Sequence, residues 1–336
     1  LKILLSSHAF APSIGGIETV SGLLAQEFSR LGHEVVVVTQ TAPDANESFP
    51  FQVARRPSFQ QLFQFVKWCD IFWQNNLSLR TIWPALLLRK PVVVTHQGSY
   101  CRRPAGLDMA LRLKHGLANR ASSVSVSQAV ASCFKTPSVI IPNPYDSALF
   151  RITQPPYQRT SDLIFLGRVV SEKGLDVLIE ALARLRSRGF QPQLTVVGSG
   201  PELQAMQNLA ARLEVNQQIR FVGSKRGAEL AQILNRHRIL VVPSRYDEPF
   251  GVVALEGIAC GCFVVGSAGG GLPEAIGPCG LTFPNGDAEA LMTTLENVLA
   301  QPNEPGRFVA RAAEHLAQFQ PAVIAGRYLD LFGTKI

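Results

Sequence analysis

Short apolar runs alternate along this chain with longer segments whose apolar residues recur every three or four positions. The runs at 3–5, 35–38, 70–73, 92–94, 123–126, 139–141, 162–166, 193–197, 219–223, 239–242 and 280–283 read as strands. Between the first two, Ile17, Val20, Leu24, Phe28 and Leu31 mark one face of a helix that Gly32 closes. Leu175, Leu178, Ile179, Leu182 and Leu185 mark another. Strands that alternate with helices in this way dictate parallel sheets covered by helices, an α/β class. A chain of 336 residues has room for two such units, at the usual ~100–200 residues each.

A hydrophobic content of 46% and a charged content of 17% give a sizeable core and argue against disorder. No apolar run reaches the ~18 residues of a membrane-spanning helix. The first six residues read as a buried strand rather than a leader. Residues 42–57 read as a loop. Residues 59–68, apolar and dotted with Gln, read as a core helix, with a surface helix that touches a membrane as the alternative. The cysteines at 69, 101, 133, 260, 262 and 279 show no metal-type pairing, and Cys260-x-Cys262 has the wrong spacing for a zinc knuckle. They read as small core residues of a protein in a reducing cytoplasm.

Charge is unevenly spread. Residues 1–150 hold 14 Lys/Arg against 8 Asp/Glu, a net of +6, and residues 151–336 hold 18 against 17, a net of +1. Clusters at Arg55-Arg56, Arg89-Lys90, Arg102-Arg103 and Arg112-x-Lys114 fit an anionic membrane surface or an anionic acceptor, or form a solvated basic face. No nucleic-acid motif accompanies them.

Candidate chemistry gathers where strands end. The run 239–242 leads into Pro243-Ser244, then Tyr246-Asp247-Glu248-Pro249-Phe250-Gly251, then a helix that carries Glu256. The first amides of such a helix, at Phe250, Gly251 and Val252, can meet ligand oxygens. Glu256, about a turn further in, can accept two hydrogen bonds from a ribose diol. On spacing alone, two Glu residues eight apart read equally as solvated carboxylates. The run 162–166 ends in Gly167-Arg168, and Glu172-Lys173-Gly174 precede the next helix, so Arg168, Lys173 and a helix N-terminus can converge on a diphosphate. Gly15-Gly16 opens the first helix and Gly198 follows the strand at 193–197. His96 ends a strand, where a lone His is ordinarily a capping or packing residue. The first βαβ unit lacks Gly-x-Gly-x-x-Gly and so is no dinucleotide fingerprint.

These residues resemble the retaining glycosyltransferases of family 4, group 1 glycosyl transferases with the GT-B fold. The resemblance rests on Pro243-Ser244, Glu248-Pro249-Phe250-Gly251, Glu256, Gly261-Cys262-Phe263-Val264-Val265, Gly269-Gly270-Gly271 and Glu274, and on Gly167-Arg168 with Glu172-Lys173-Gly174. Gly257 stands where Ala is usual and Phe263 where Pro is usual, and neither removes a functional group.

The resemblance implies two Rossmann-like parallel-sheet domains facing a central cleft. They would be an acceptor-side domain over 1–150, a nucleotide-sugar domain over 151–318, and a last helix at 319–336 that crosses back to the first domain. It implies a hexosyltransferase that moves a sugar from a nucleotide-diphosphate donor, a UDP-hexose or GDP-mannose, to a hydroxyl with the anomeric configuration kept. Arg168 and Lys173 would serve the diphosphate, Glu256 the ribose, and Glu248 with the amides of 250–252 the sugar. Gly16 and His96 would approach from the first domain, His96 as a catalytic residue near the reacting carbon, and Gly198 and Lys225 would lie near the base. No Asp-x-Asp motif appears, so neither a metal nor another cofactor is expected. A sugar-nucleotide epimerase or hydrolase of the same fold, or a non-catalytic nucleotide-sugar or membrane-binding subunit, is the alternative. The expected location is the cytoplasm, with the basic half on the inner face of a membrane.

Overall fold

The computed structural model describes residues 1–13, 15–43, 48–98, 121–134, 137–155, 158–301 and 304–336. Arg102, Arg103, Arg112 and Lys114 lie outside the described residues. The chain divides into two compact units, Leu1–Tyr145 with Phe319–Ile336, and Asp146–Gln318.

The first unit is built on a seven-stranded sheet: β1 (Lys2–Ser7), β2 (Glu34–Thr39), β3 (Gln52–Arg55), β4 (Ile71–Asn75), β5 (Val92–His96), β6 (Ser122–Ser125) and β7 (Val139–Ile140). Every pair is parallel, in the order β3-β2-β1-β4-β5-β6-β7. Its covering helices are α1 (Gly16–Arg30), α2 (Phe59–Trp68), α3 (Leu79–Leu87) and the short α4 (Gln128–Ala131). One face packs Leu4, Val36, Phe72 and Val94 against Leu62 and Val66 of α2 and Ile82 and Ala85 of α3.

Two expectations are corrected here. The segment read as a loop contains β3, an edge strand with no fully buried residue and therefore no apolar signature. The segment read as a core helix is a surface helix. Ser58 caps α2 in a capping box with Gln61, Leu62 and Val66 are its buried residues, and Phe59 is 57% exposed.

The second unit is built on six parallel strands: β8 (Ser161–Leu166), β9 (Leu194–Val197), β10 (Ile219–Phe221), β11 (His237–Val242), β12 (Phe263–Ser267) and β13 (Gly280–Phe283). Their order is β10-β9-β8-β11-β12-β13. Helices α5 (Leu175–Ser187), α6 (Leu203–Arg212), α7 (Gly227–Arg236), α8 (Val252–Ala259), α9 (Leu272–Ile276), α10 (Ala288–Ala300) and α11 (Glu304–Ala317) connect and cover them. Leu178, Leu182 and Leu185 of α5 and Leu291 and Leu295 of α10 bury one face of this sheet. The strand order reverses at β8 and β11. The crevice beyond the carboxyl ends of such a strand pair is where open α/β sheets bind ligands.

The final helix, α12 (Pro321–Gly333), belongs to the first unit. Its Tyr328 and Phe332 enclose Trp73 with Phe28 of α1, at ring separations of 4.9 to 6.2 Å. The Trp73 indole donates to Thr95 Oγ1 at 2.9 Å, and that hydroxyl lies 2.8 Å from Tyr328 Oη. Cys69, Cys260, Cys262 and Cys279 are buried thiols, whereas Cys133, expected as a small core residue, is disulfide-bonded. Among the described residues no helix is long and apolar enough to cross a membrane.

Candidate functional site

The site of the second unit is made by the loops that leave β8 and β11. After β8 the chain runs through Gly167 and the exposed Arg168 into a single 3-10 turn, Ser171–Lys173, and then α5. Gly174 joins turn to helix with φ of 67°, and a Cβ there would stand 1.9 Å from the carbonyl oxygen of Pro243. Only glycine lets the two loops approach this closely. Arg245 N–H also donates to Glu172 O at 2.9 Å. The Arg245 guanidinium pairs with Asp176 at 2.5 Å, a contact that holds its pKa above the ordinary value.

This junction brings Lys173 onto Glu248. Lys173 Nζ donates to Glu248 Oε1 at 2.6 Å, and Ser244 Oγ donates to the same oxygen at 2.6 Å. Tyr246 donates its hydroxyl proton to Oε2 at 2.5 Å, accepts from Lys173 Nζ at 3.1 Å, and sets its ring 5.0 Å from that ammonium. Glu248 is thus a buried carboxylate with a cation and two hydroxyls on it, as a buried charge requires. Burial raises the Tyr246 phenol above its ordinary pKa, the charge and hydrogen bond of Glu248 add to this, and the nearby Arg168 opposes it. Sequence reasoning missed Tyr246 and the role of Ser244. The available signal was only their nearness in sequence to Glu248, since the chain bends at Arg245 and Tyr246 rather than running extended.

Behind Glu248 the loop is pinned. Gly271 N–H donates to Glu248 O at 2.7 Å, and Asn285 accepts from Gly269 N–H at 2.7 Å while donating to Tyr246 O at 3.3 Å. Phe250 is buried, Gly251 takes a left-handed φ of 105°, and α8 starts at Val252. The first-turn amides of α8 lack intrahelical acceptors by position. Glu256 lies one turn further along, only partly accessible, and among the described residues no hydrogen bond or ion pair reaches its carboxylate. Burial pushes that carboxyl up to about 8, with the charge of Asp146 adding to the effect.

Of the remaining expected residues, Gly198 lies against the β8 loop, where an added Cβ would stand 1.8 Å from Gly167 O. Gly198, after β9, donates its N–H to Gly223 O at 2.9 Å, and Ser199 and Ser224 share a 2.7 Å hydroxyl contact that joins the β9 and β10 loops. Lys225 pairs with Glu229 at 2.6 Å. In the first unit, Gly16 is the exposed first residue of α1. His96 ends β5 fully buried, with Nε2 3.3 Å from Ser123 Oγ and its ring 4.2 Å from that of Phe134.

Among the described residues no group of three or more His, Cys, Asp or Glu side chains could hold a metal ion. A recess of about 580 Å³ lies at the opposite edge of the first sheet, lined by His33, Val35, Phe51, Phe65 and Trp68. None of the expected site residues borders it, and it lies at the amino ends of β2 and β3, so the loops of β8 and β11 define the candidate site.

Residues 149–315 match the family described as Glycosyl transferases group 1. A D-inositol 3-phosphate glycosyltransferase of Stackebrandtia nassauensis is 35% identical over 185 residues, which cover 51% of this chain and 41% of that protein. The match thus spans less than half the length of that relative. Among solved structures, the sucrose-phosphate synthase of Thermosynechococcus elongatus superposes with a TM-score of 0.81 at 22% identity, covering 99% of this chain and 98% of the other. Anabaena HepE, solved with UDP-glucose, superposes with a TM-score of 0.80 at 20% identity, covering 99% of each chain. The fold is GT-B, and the α/β class and its two parallel-sheet units are as the sequence led one to expect.

Proposed function

From a second unit that carries a glycosyl transferases group 1 domain, we propose that this chain is a retaining hexosyltransferase of family 4. It moves a hexose from a nucleoside-diphosphate sugar to a hydroxyl of a glycan, lipid or small-molecule acceptor. The observation that carries this reading is the junction of the β8 and β11 loops at the switch point of the sheet, where Lys173 pairs with Glu248 and the charge of Arg168 is felt at Tyr246. The two cations neutralise the diphosphate, which gains charge as the bond to the sugar breaks. Preorganised groups of this kind contribute roughly 3–4 kcal/mol each to transition-state stabilisation, and with them in place the reaction proceeds without a divalent metal. Glu256 accepts from the ribose diol. Glu248 and the first amides of α8 hold the sugar hydroxyls.

No carboxylate is assigned behind the anomeric carbon, so retention follows from attack on the face the diphosphate leaves. The bond from C1 to phosphate oxygen breaks, the bond from C1 to acceptor oxygen forms, and the phosphate takes the acceptor proton. The donor is a UDP-hexose or GDP-mannose, and the HepE complex with UDP-glucose supports the first. Incubation with labelled UDP- and GDP-sugars and a panel of acceptors, with and without EDTA, tests the reading. Transfer that survives chelation is expected. An epimerised donor as the main product, or no donor consumed with any acceptor, overturns it.

A second observation bears on where the acceptor lies. Phe59 of α2 stacks on Trp83 of α3 with ring centroids 4.8 Å apart and planes 2° apart, although the two are 57% and 37% exposed. Residues 55–90 hold six Lys/Arg and one Asp. Exposed aromatics set among cations fit an anionic lipid surface, which we propose the first unit meets.

A further inference from the structure

We propose that Tyr246 is a positioning residue. Its hydroxyl keeps the Glu248 carboxylate in one orientation while Lys173 passes from that carboxylate to the donor diphosphate. The inference rests on the reading of Lys173 as a phosphate ligand and Glu248 as a sugar ligand given above.

The two oxygens of Glu248 are held unequally. Oε1 accepts from both Lys173 and Ser244, at 2.6 Å each. Among the described residues, Oε2 has one partner, the Tyr246 hydroxyl at 2.5 Å. Lys173 cannot give its full charge to Glu248 and to a diphosphate at once, and the diphosphate carries the greater charge. When the donor binds, Ser244 and Tyr246 are the donors that stay. The last torsion of a Glu side chain is broad and roughly two-fold, with no steep preference of its own. One hydrogen bond on one oxygen leaves the carboxylate free to turn about that torsion, and one on each oxygen fixes its plane. A sugar whose hydroxyls must meet that plane therefore depends on Tyr246.

The surroundings are built to keep Tyr246 where it is. Its backbone carbonyl accepts from Asn285, and the preceding residue, Arg245, donates its amide to Glu172. Its ring lies under Lys173 at 5.0 Å, a contact that a phenylalanine would keep. Burial and the Glu248 charge hold the phenol protonated, so it is a donor at any physiological pH. Tyr246→Phe therefore removes the hydroxyl and little else.

The test uses the full chain, with calorimetric binding of UDP, GDP and their hexose conjugates, and turnover of whichever donor the wild type uses. In Tyr246→Phe the nucleoside diphosphate should bind within about twofold of wild type. The extra affinity contributed by the hexose should fall, and kcat should fall by about tenfold or more, as the loss of a charge-assisted hydrogen bond predicts. The melting temperature without ligand should fall by only about 3–10 °C, with the protein still folded, since Lys173 and Ser244 continue to hold Oε1 of the carboxylate. Equal kcat and equal hexose discrimination in Tyr246→Phe would overturn the inference while leaving the glycosyltransferase reading intact. Parallel loss of nucleoside diphosphate binding would also overturn it, because the hydroxyl would then be holding the loop as a whole. Failure of the wild type to bind either nucleoside diphosphate would remove the reading underneath, and the inference with it.

Discussion

Lys173 Nζ lies 2.6 Å from Glu248 Oε1, a side-chain contact between the loop after β8 and the loop after β11 across 75 residues of sequence. The Glu248 side chain is 7% exposed and that of Lys173 21%. Lys173→Ala leaves a nearly buried charge without its cation, which costs about 1–3 kcal/mol of stability. It should also weaken nucleoside diphosphate binding by about 10–100-fold, the worth of a charge-assisted contact to phosphate. Glu248→Gln should do the opposite to binding: it frees Lys173 for the diphosphate, so affinity is kept or improved while turnover is lost. Calorimetry and urea melts on the two variants read these effects. Equal binding losses in both would show that the pair acts only as a structural clamp.

Glu256 gives the protein a pH dependence of definite sign. Its carboxyl is pushed up to about 8 by burial, whereas an unfolded Glu titrates near 4.3. Between those values the unfolded chain has released a proton that the folded protein still holds. Stability therefore falls as pH rises through this window, by at most about 1.4 kcal/mol per pH unit. Glu256→Gln cannot ionise, so its stability relative to wild type should grow between pH 5 and pH 8 in urea melts. A constant difference between the two would contradict the raised value. If a ribose diol donates to the ionised form, nucleotide binding at pH 7 should release a proton, seen as a buffer-dependent heat.

Much of this was legible in the residues. The α/β class followed from the alternation of apolar runs with helical periodicity, because parallel strands are buried on both faces and leave unbroken apolar signatures such as residues 35–38 of β2. What failed was what lacks that signature. β3 pairs on one side only and exposes or half-exposes every residue. Phe59 and Phe63 made α2 look like core, because hydropathy cannot tell a side chain stacked on a neighbouring helix in solvent from one beneath it.

The site was legible as residue types and only partly as partners. Glu248 and Lys173 were both singled out, but for different ligands, and nothing in their spacing says that they touch. A contact between residues far apart in sequence is fixed by strand order, here the adjacency of β8 and β11. Tyr246 escaped because a tyrosine in a loop has no pattern of its own. His96 was singled out through the family resemblance, since its place at a strand end alone reads as packing, and in the structure its ring meets Ser123 and Phe134.

Gly174 should be one of the least replaceable residues of the second unit. Its φ is 67°, and an added Cβ would meet Pro243 O at 1.9 Å. Gly189 has a comparable φ of 86° but open space around the same position. Gly189→Ala should therefore cost only the backbone term, about 1 kcal/mol, and Gly174→Ala clearly more, since the β11 loop must also move. Melting curves of the pair separate the two terms. Equal losses would mean that the loops yield without cost.

The last helix should be indispensable to the first unit. Phe332 is fully buried against Phe28, Trp73 and Tyr328. Phe332→Ala should cost about 3–5 kcal/mol, the range for a large aromatic lost from a core. Tyr328→Phe, which removes only the hydroxyl shared with Thr95, should cost about 1 kcal/mol. Denaturant melts followed by Trp73 fluorescence measure both. A Phe332→Ala protein that unfolds like wild type would show α12 to be dispensable.

The exposed stack of Phe59 and Trp83 makes lipid binding testable with few changes. Phe63 lies one turn from Phe59, with Lys67 Nζ 5.0 Å from its ring, and Leu87, 66% exposed, lies one turn from Trp83. This leaves an apolar strip on two adjacent helices, edged by the exposed cations Lys67, Arg80 and Arg89. Each basic residue near an anionic leaflet contributes about 1 kcal/mol at the surface. Vesicles with acidic headgroups should therefore bind the protein, and neutral ones should bind it far less. Binding should fall steeply with salt, since these charges are screened within about 8–10 Å at ordinary ionic strength. Phe59→Ser with Trp83→Ser should weaken binding while keeping the salt dependence, because it removes the inserted rings and leaves the charge. Lys67→Glu with Arg80→Glu should weaken binding and flatten the salt dependence. Equal binding to neutral and acidic vesicles, or none to either, would leave the aromatic stack as a feature of the protein surface and remove lipid from the account of the acceptor side.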